Sequence, residues 1–404
     1  MKHIPGGVCA AQGFTANGVL CGIKPGRTTP DLALIMSETP ANAAAVYTQN
    51  LVQGAPITVT KQHLCNNKAQ AVIVNSGNAN TCNADGIDIA NAMCNLVETH
   101  VKIPAEDVIV ASTGVIGQPL PIAPIQNGMA ALTAGLSREN NGAAAQAIMT
   151  TDTFPKECAV EFELGGKTCR LGGMAKGSGM IHINMATMLA FITTDVAIAP
   201  DIVEEILKEC SEATLNMVSV DGDTSTNDMC CILANGMAGN TEITAPGKDL
   251  STFCAALTQV LTETAKMLAR DGEGATKLLE CHVTGAKSTQ DARLAAKSVI
   301  SSNLVKAAMF GADANWGREM CALGYSGASI DITQVSVKFS SAAGEITVCE
   351  TGAGLPFCED LAAKVLGEDE IVIEIGLCDG NASATAWGCD LTYDYVKING
   401  DYRT

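Results

Sequence analysis

Residues 172–195 read GGMAKGSGMIHINMATMLAFITTD. A glycine-rich turn leads there into Ala186-Thr187, and a short apolar stretch from Met188 to Ile192 follows at once. A threonine at this junction has two readings. In the first it belongs to a loop feeding a buried strand, an ordinary place for a β-branched residue. In the second the chain makes its own nucleophile. A strained turn sets the Thr187 hydroxyl against the Ala186 carbonyl, and hydrolysis of the resulting ester leaves Thr187 as a new N-terminus. That residue then holds a hydroxyl and an α-amine together. With a pKa of roughly 7.7–8.0, the amine can take the hydroxyl proton near neutral pH without any histidine. The local pattern alone favours the first reading.

A nucleophile at position 187 would need other segments to bring polar groups to it. Ala71-Val72-Ile73-Val74 runs into the small polar loop Asn75-Ser76-Gly77-Asn78-Ala79-Asn80, and Val108-Ile109-Val110 runs into Ala111-Ser112-Thr113-Gly114. Two strands with such ends can turn backbone N–H groups toward one site. Asp201 is expected to cap a helix with Glu204 at the capping-box position and Ile202, Ile206 and Cys210 on one face. Ser251 is expected to cap a second helix running to about Arg270, stopped by Asp271-Gly272-Glu273-Gly274. Ile371 to Ile375 and Asp390 to Val396 read as late strands. Short strands alternating with helices point to an α/β or α+β fold.

The chain of 404 residues has 47% apolar, 17% charged and 4% aromatic residues, and a net charge of −18. That apolar share excludes a disordered chain, and the negative charge repels phosphate backbones, so no nucleic-acid partner is expected. The apolar runs are too short to span a membrane, and MKHIPGGVCAAQGF lacks an apolar leader core, so a cytoplasmic protein without membrane partners is expected. The 17 cysteines form no C-x-x-C, and the five histidines (His3, His63, His100, His182, His282) show no zinc-type spacing. No metal site is expected, and most cysteines should be buried thiols. There is no P-loop and no G-x-S-x-G elbow, and Lys176-Gly177-Ser178-Gly179 lacks the third glycine of a dinucleotide fingerprint.

The segment around Thr187 resembles the signature of the ornithine acetyltransferase family (glutamate N-acetyltransferase, often also amino-acid acetyltransferase). The likeness extends over the chain. Asp31 to Ile35, Val74 to Asn80, Ser112 to Gly117, Asp221 to Asp228, Phe310 to Arg318 and the ending Tyr395 to Thr404 are all similar to family blocks. One position departs from the pattern. Ile183 stands where the family usually has proline, which frees φ and restores an N–H in the turn.

The resemblance implies a precursor cut into an N-terminal α chain, residues 1–186, and a C-terminal β chain, residues 187–404. It implies an α/β sandwich like that of N-terminal-nucleophile hydrolases in layering but not in connectivity. The implied reaction is ping-pong: N2-acetyl-ornithine acetylates Thr187, and glutamate then takes the acetyl group. Acetyl-CoA is an alternative donor in bifunctional members, no cofactor is called for, and an α2β2 assembly is expected. On the same basis Thr113 and Gly114 would form the oxyanion hole. Thr150, Lys176, Glu273, Asn399 and Thr404 would contact substrate beside Thr187, and Ala186-Thr187 would be the cleavage site. The loop Asp221 to Asp228 lacks the spacing of a calcium loop and reads as a support for the site. A self-processing amidase or aminopeptidase, with water as acceptor, is the competing enzyme class, and a member that folds without catalysis is the third.

Overall fold

The computed structural model describes residues 1–24, 26–182 and 188–400. The apolar runs of the sequence become strands covered on both faces, which is why they read as continuous rather than alternating. Ala71, Ile73, Val108 and Val110 join Leu32 and Leu34 on one face, against Ala90, Met93 and Val97 of helix Gly86–Val101 and Ile125 and Met129 of helix Ile122–Ala134. Their alternates Val72, Val74, Ile109 and Ala111 join Ala33 and Ile35 on the other face.

These strands belong to a sheet that has nine strands among the described residues. Its order is Lys2–His3, Lys156–Leu164, Lys167–Lys176, Leu189–Thr194, Met229–Ala234, Leu32–Tyr47, Lys68–Asn78 and Val108–Val115, with Phe14–Val19 paired to Leu32–Tyr47. The sheet draws strands from both sides of position 187. Leu189–Thr194 lies antiparallel to Lys167–Lys176 and parallel to Met229–Ala234. A second, eight-stranded sheet runs Ala353–Gly354, Gly344–Glu350, Ser336–Ser341, Glu370–Gly376, Leu278–Ala286, Ala382–Cys389, Val218–Thr224 and Ile181–His182.

Helix Lys248–Arg270 lies between the sheets. It touches Lys156–Leu164 and Lys167–Lys176 of the first and Leu278–Ala286 and Ala382–Cys389 of the second. Its buried stripe Phe253, Ala256, Leu257, Val260, Leu261, Ala265 and Leu268 follows the helical period, and the opposite side carries Lys266, 2.8 Å from Glu280. The fold is thus the layered α/β sandwich expected. All 17 cysteines are free thiols, nine of them buried.

Three expected element details are corrected. The helix beginning near Asp201 spans Pro200–Ala213 and has no side-chain cap; Pro200 opens it, and Asp201 sits inside its first turn. Helix Lys248–Arg270 begins before Ser251, whose hydroxyl donates back to the Gly247 carbonyl at 3.1 Å. Asp390 to Val396 is not a strand. The strand ends at Cys389, Asp390 accepts from the N–H groups of Thr276 and Lys277 at 2.8 and 3.0 Å, and the chain turns into helix Tyr393–Asn399.

Candidate active site

Thr113 and Gly114 end strand Val108–Val115, which runs parallel to Lys68–Asn78 with Ser76 opposite Thr113 and Gly77 opposite Gly114. Gly114 has φ +132°, and a Cβ there would lie 2.3 Å from the Gly77 carbonyl carbon, so only glycine allows this closeness. Asn75 locks the two strand ends: its Oδ1 accepts from the Ser112 hydroxyl at 2.6 Å, and its Nδ2 donates to the Asn78 carbonyl at 2.9 Å.

Lys176 is the last residue of strand Lys167–Lys176 and is nearly buried. Its ammonium donates to Thr113 Oγ1 at 3.3 Å. The Thr113 hydroxyl accepts that bond and keeps its own proton to give, which is what an oxyanion donor needs. Behind Lys176 lies Asp152. Burial by itself would raise this carboxyl, but Lys176, Lys156 and the Gly177 N–H outweigh it and hold the group at about 2. Thr150 stands beside them, its N–H donating to Asp152 Oδ2 at 3.0 Å.

Glu273 faces this group from the turn after the long helix. Its N–H donates to the Ser178 carbonyl at 3.0 Å, and its carboxylate lies over Gly179, where a Cβ would come within 2.3 Å of Oε2. Asn399, on the last helix, donates to the same carboxylate at 2.7 Å. Thr113, Gly114, Thr150, Lys176, Glu273 and Asn399 all line one cleft of about 120 Å³. A small neighbouring hollow is lined by Thr113, Lys176 and Met188, the residue after Thr187. The Met188 carbonyl is held by the Met229 N–H at 3.0 Å. Ala186, Thr187 and Thr404, and also Ile183, lie outside the described residues.

The cleft also contains Ser225, Thr226 and Asn227, which the sequence reading placed only in a supporting loop. Asn227 Nδ2 donates to the carbonyls of Ala79 and Ser112 at 2.5 and 3.0 Å, and its Oδ1 accepts from Thr81 and Thr226 at 2.5 and 2.6 Å. One amide therefore ties the two strand-end loops to the second half of the chain. The supporting part of the expectation also has a geometry: Asp221 accepts from the N–H groups of Met180 and Ile181 at 2.6 and 2.8 Å, just ahead of the segment that leads to Thr187. His182 stands at the end of that clamp. Burial, then repulsion by Lys297, pushes its imidazole down to about 4, so it is neutral at physiological pH. Among the described residues no cluster of histidine, cysteine or carboxylate side chains is placed to hold a metal. None of their helices is long and apolar enough to cross a membrane.

A cation and a carboxylate on facing walls, with hydroxyl and backbone donors between them, suit a small zwitterion and an acyl carbon. The family model described as ArgJ family matches residues 15–404. The chain belongs to the ArgJ family. The arginine biosynthesis bifunctional protein ArgJ 1 of Clostridium acetobutylicum is 51% identical over 392 residues, covering 97% of this chain and 96% of its own. The ArgJ protein of Symbiobacterium thermophilum is 51% identical over 406 residues, with 100% of both chains covered. Among solved structures, the bifunctional ArgJ of Bacillus halodurans is 44% identical with a TM-score of 0.51, covering 53% of this chain and 99% of its own. As an ArgJ-family member the chain is an enzyme, an acyltransferase of arginine biosynthesis.

Proposed function

We propose that the chain cuts itself between Ala186 and Thr187 and uses the exposed Thr187 to carry acetyl from N2-acetyl-ornithine to glutamate. The observation that carries this reading is the convergence of Thr113, Gly114, Thr150, Lys176, Glu273 and Asn399 on one cleft. Thr187 Oγ attacks the acetyl carbonyl while its α-amine takes the hydroxyl proton. Thr113 and Gly114 donate to the oxygen that becomes negative, and the ornithine nitrogen leaves with the transferred proton. The α-amine of glutamate then attacks the acetyl-Thr187 ester, and the proton returns to the hydroxyl. Lys176 receives the substrate carboxylate, and Glu273, held by Asn399, receives an ammonium group. Thr404 completes the substrate contacts, and acetyl-CoA serves as a second donor to the same ester.

The products of the cut are an α chain of residues 1–186 and a β chain of residues 187–404, paired as α2β2 in the cytoplasm. The length of the solved Bacillus halodurans chain supports this division. It covers 53% of this chain with 99% of itself matched, and residues 187–404 are 218 of 404, about 54%. Thr187→Ala is expected to leave a single chain with no transfer of acetyl from N2-acetyl-ornithine to glutamate, while Thr187→Ser retains slow processing and residual transfer. Formation of N-acetylglutamate by the alanine variant would remove Thr187 as nucleophile. Release of acetate without transfer by the unaltered protein would favour the amidase class.

A further inference from the structure

Three of the groups read as substrate contacts, Thr150, Lys176 and Glu273, sit on segments that are far apart in the chain. What fixes the distances among them lies beneath the cleft. Lys156 is fully buried, and its ammonium bridges two buried carboxylates, Asp152 at 2.7 Å and Asp271 at 2.5 Å, whose side chains are 0% and 2% exposed. Asp152 holds the wall that carries Thr150 and Lys176, and Asp271, two residues before Glu273, ties the turn of Glu273 to that wall. Asp152 accepts from the N–H of Gly177, next to Lys176, at 2.7 Å and from the N–H of Thr150 at 3.0 Å. Asp271 accepts from the Thr153 N–H at 3.0 Å and from its hydroxyl. The Asp271 carbonyl accepts from the Ser178 hydroxyl at 2.6 Å, and the Ser178 carbonyl accepts from the N–H of Glu273.

We propose that Lys156, with Asp152 and Asp271, is the positioning element that sets the separation of Lys176 and Glu273 and hence the fit of an amino-acid zwitterion. This rests on the reading of those two residues as substrate contacts. The charge balance fits the role. One lysine between two aspartates leaves a net charge of −1, and the Lys176 ammonium beside Asp152 offsets it. The triad therefore also aims Lys176 at the cleft. Two carboxylates buried around one cation are a costly way to hold a fold together, since apolar side chains of similar volume often do as well. They do, however, fix direction and distance at several hydrogen bonds at once.

The test separates positioning from folding. Lys156→Met combined with Asp271→Asn removes one charge of each sign, so the net charge beneath the cleft is unchanged while the Lys156 bridge between Asp152 and Asp271 is lost and the Ser178 bonds remain. The proposal expects this double variant to be processed and folded like the unaltered protein. Its KM for N2-acetyl-ornithine and for glutamate should rise about 10- to 100-fold, with a smaller change in kcat. In a Glu273→Gln background most of that rise should vanish, because the two changes act through one contact. Asp271→Asn alone serves as the second variant should the double one fail to fold, with the same KM signature expected. A folded variant with unchanged KM values, or KM effects that simply add to those of Glu273→Gln, would overturn the proposal. Absence of acetyl transfer by the unaltered protein would instead overturn the reading on which it rests.

Discussion

Glu319 is the residue whose surroundings fit its chemistry least. It lies on helix Trp316–Gly324 with no exposure, and neither carboxyl oxygen has a hydrogen-bond partner among the described residues. Burial pushes its pKa up from 4.5 to about 8, so at neutral pH the folded protein keeps a proton there that the unfolded chain has released. The sign follows directly. The folded state binds more protons than the unfolded state between about pH 4.5 and 8, so stability is greatest below that window and is lost as pH rises through it. Replacing Glu319 by glutamine removes this dependence. Urea unfolding across pH 5 to 8 is expected to show the variant gaining on the unaltered protein by up to roughly 1.4 kcal/mol per pH unit, levelling off above about pH 8. A gap that stays constant over that range would mean that the carboxyl is ionised in the fold. No periodicity in the sequence marks this residue, because a helix stripe shows which face is buried and not that a charged side chain lies on it.

Among the described α-helices, the C-terminal helix Tyr393–Asn399 stands out for its lack of burial. It has no buried residue, and Tyr393 and Val396 are 85% and 68% exposed. Its anchors are the edge-on contact of Tyr393 with Phe310 at 5.7 Å, the Thr392 hydroxyl on the Gly274 carbonyl at 2.6 Å, and Asn399 on Glu273. An extension at the C-terminus is therefore expected to raise KM several-fold relative to the same extension at the N-terminus, through the Asn399–Glu273 bond. Equal kinetics for the two tagged forms would remove the last helix from the site. This element is also where the sequence misled. The alternation from Asp390 to Val396 reads as a strand, but Asp390 is spent on the Thr276 and Lys277 N–H groups, and the chain must turn. The strands Ala71 to Val74 and Val108 to Val110 were legible because both their faces are covered, whereas the role of Thr113 and Gly114 at the end of the second rested on the family resemblance. The Asp152–Lys156–Asp271 triad was not, since Asp271 stands 115 residues from Lys156 and only the packed sheets bring them together.

At the scale of the whole molecule, the proposed cut between Ala186 and Thr187 would leave both products paired in one sheet. Leu189–Thr194 is paired on one side to Lys167–Lys176, which precedes the cut, and on the other to Met229–Ala234, which follows it. Met229–Ala234 pairs in turn with Leu32–Tyr47. Backbone ladders thus cross the proposed cut, and the two fragments it would produce should co-migrate under native conditions and part only in denaturant. The cleft likewise draws residues from both sides of the proposed cut, with Thr113, Thr150 and Lys176 before it and Asn227, Glu273 and Asn399 after it. The most direct measurement is the intact mass, under denaturing conditions, of purified protein incubated with N2-acetyl-ornithine. The account predicts two polypeptides of 186 and 218 residues, the second beginning at Thr187 and carrying one added acetyl group that glutamate removes. A single unbroken chain, or a cut chain whose acetyl group lies elsewhere, would contradict it.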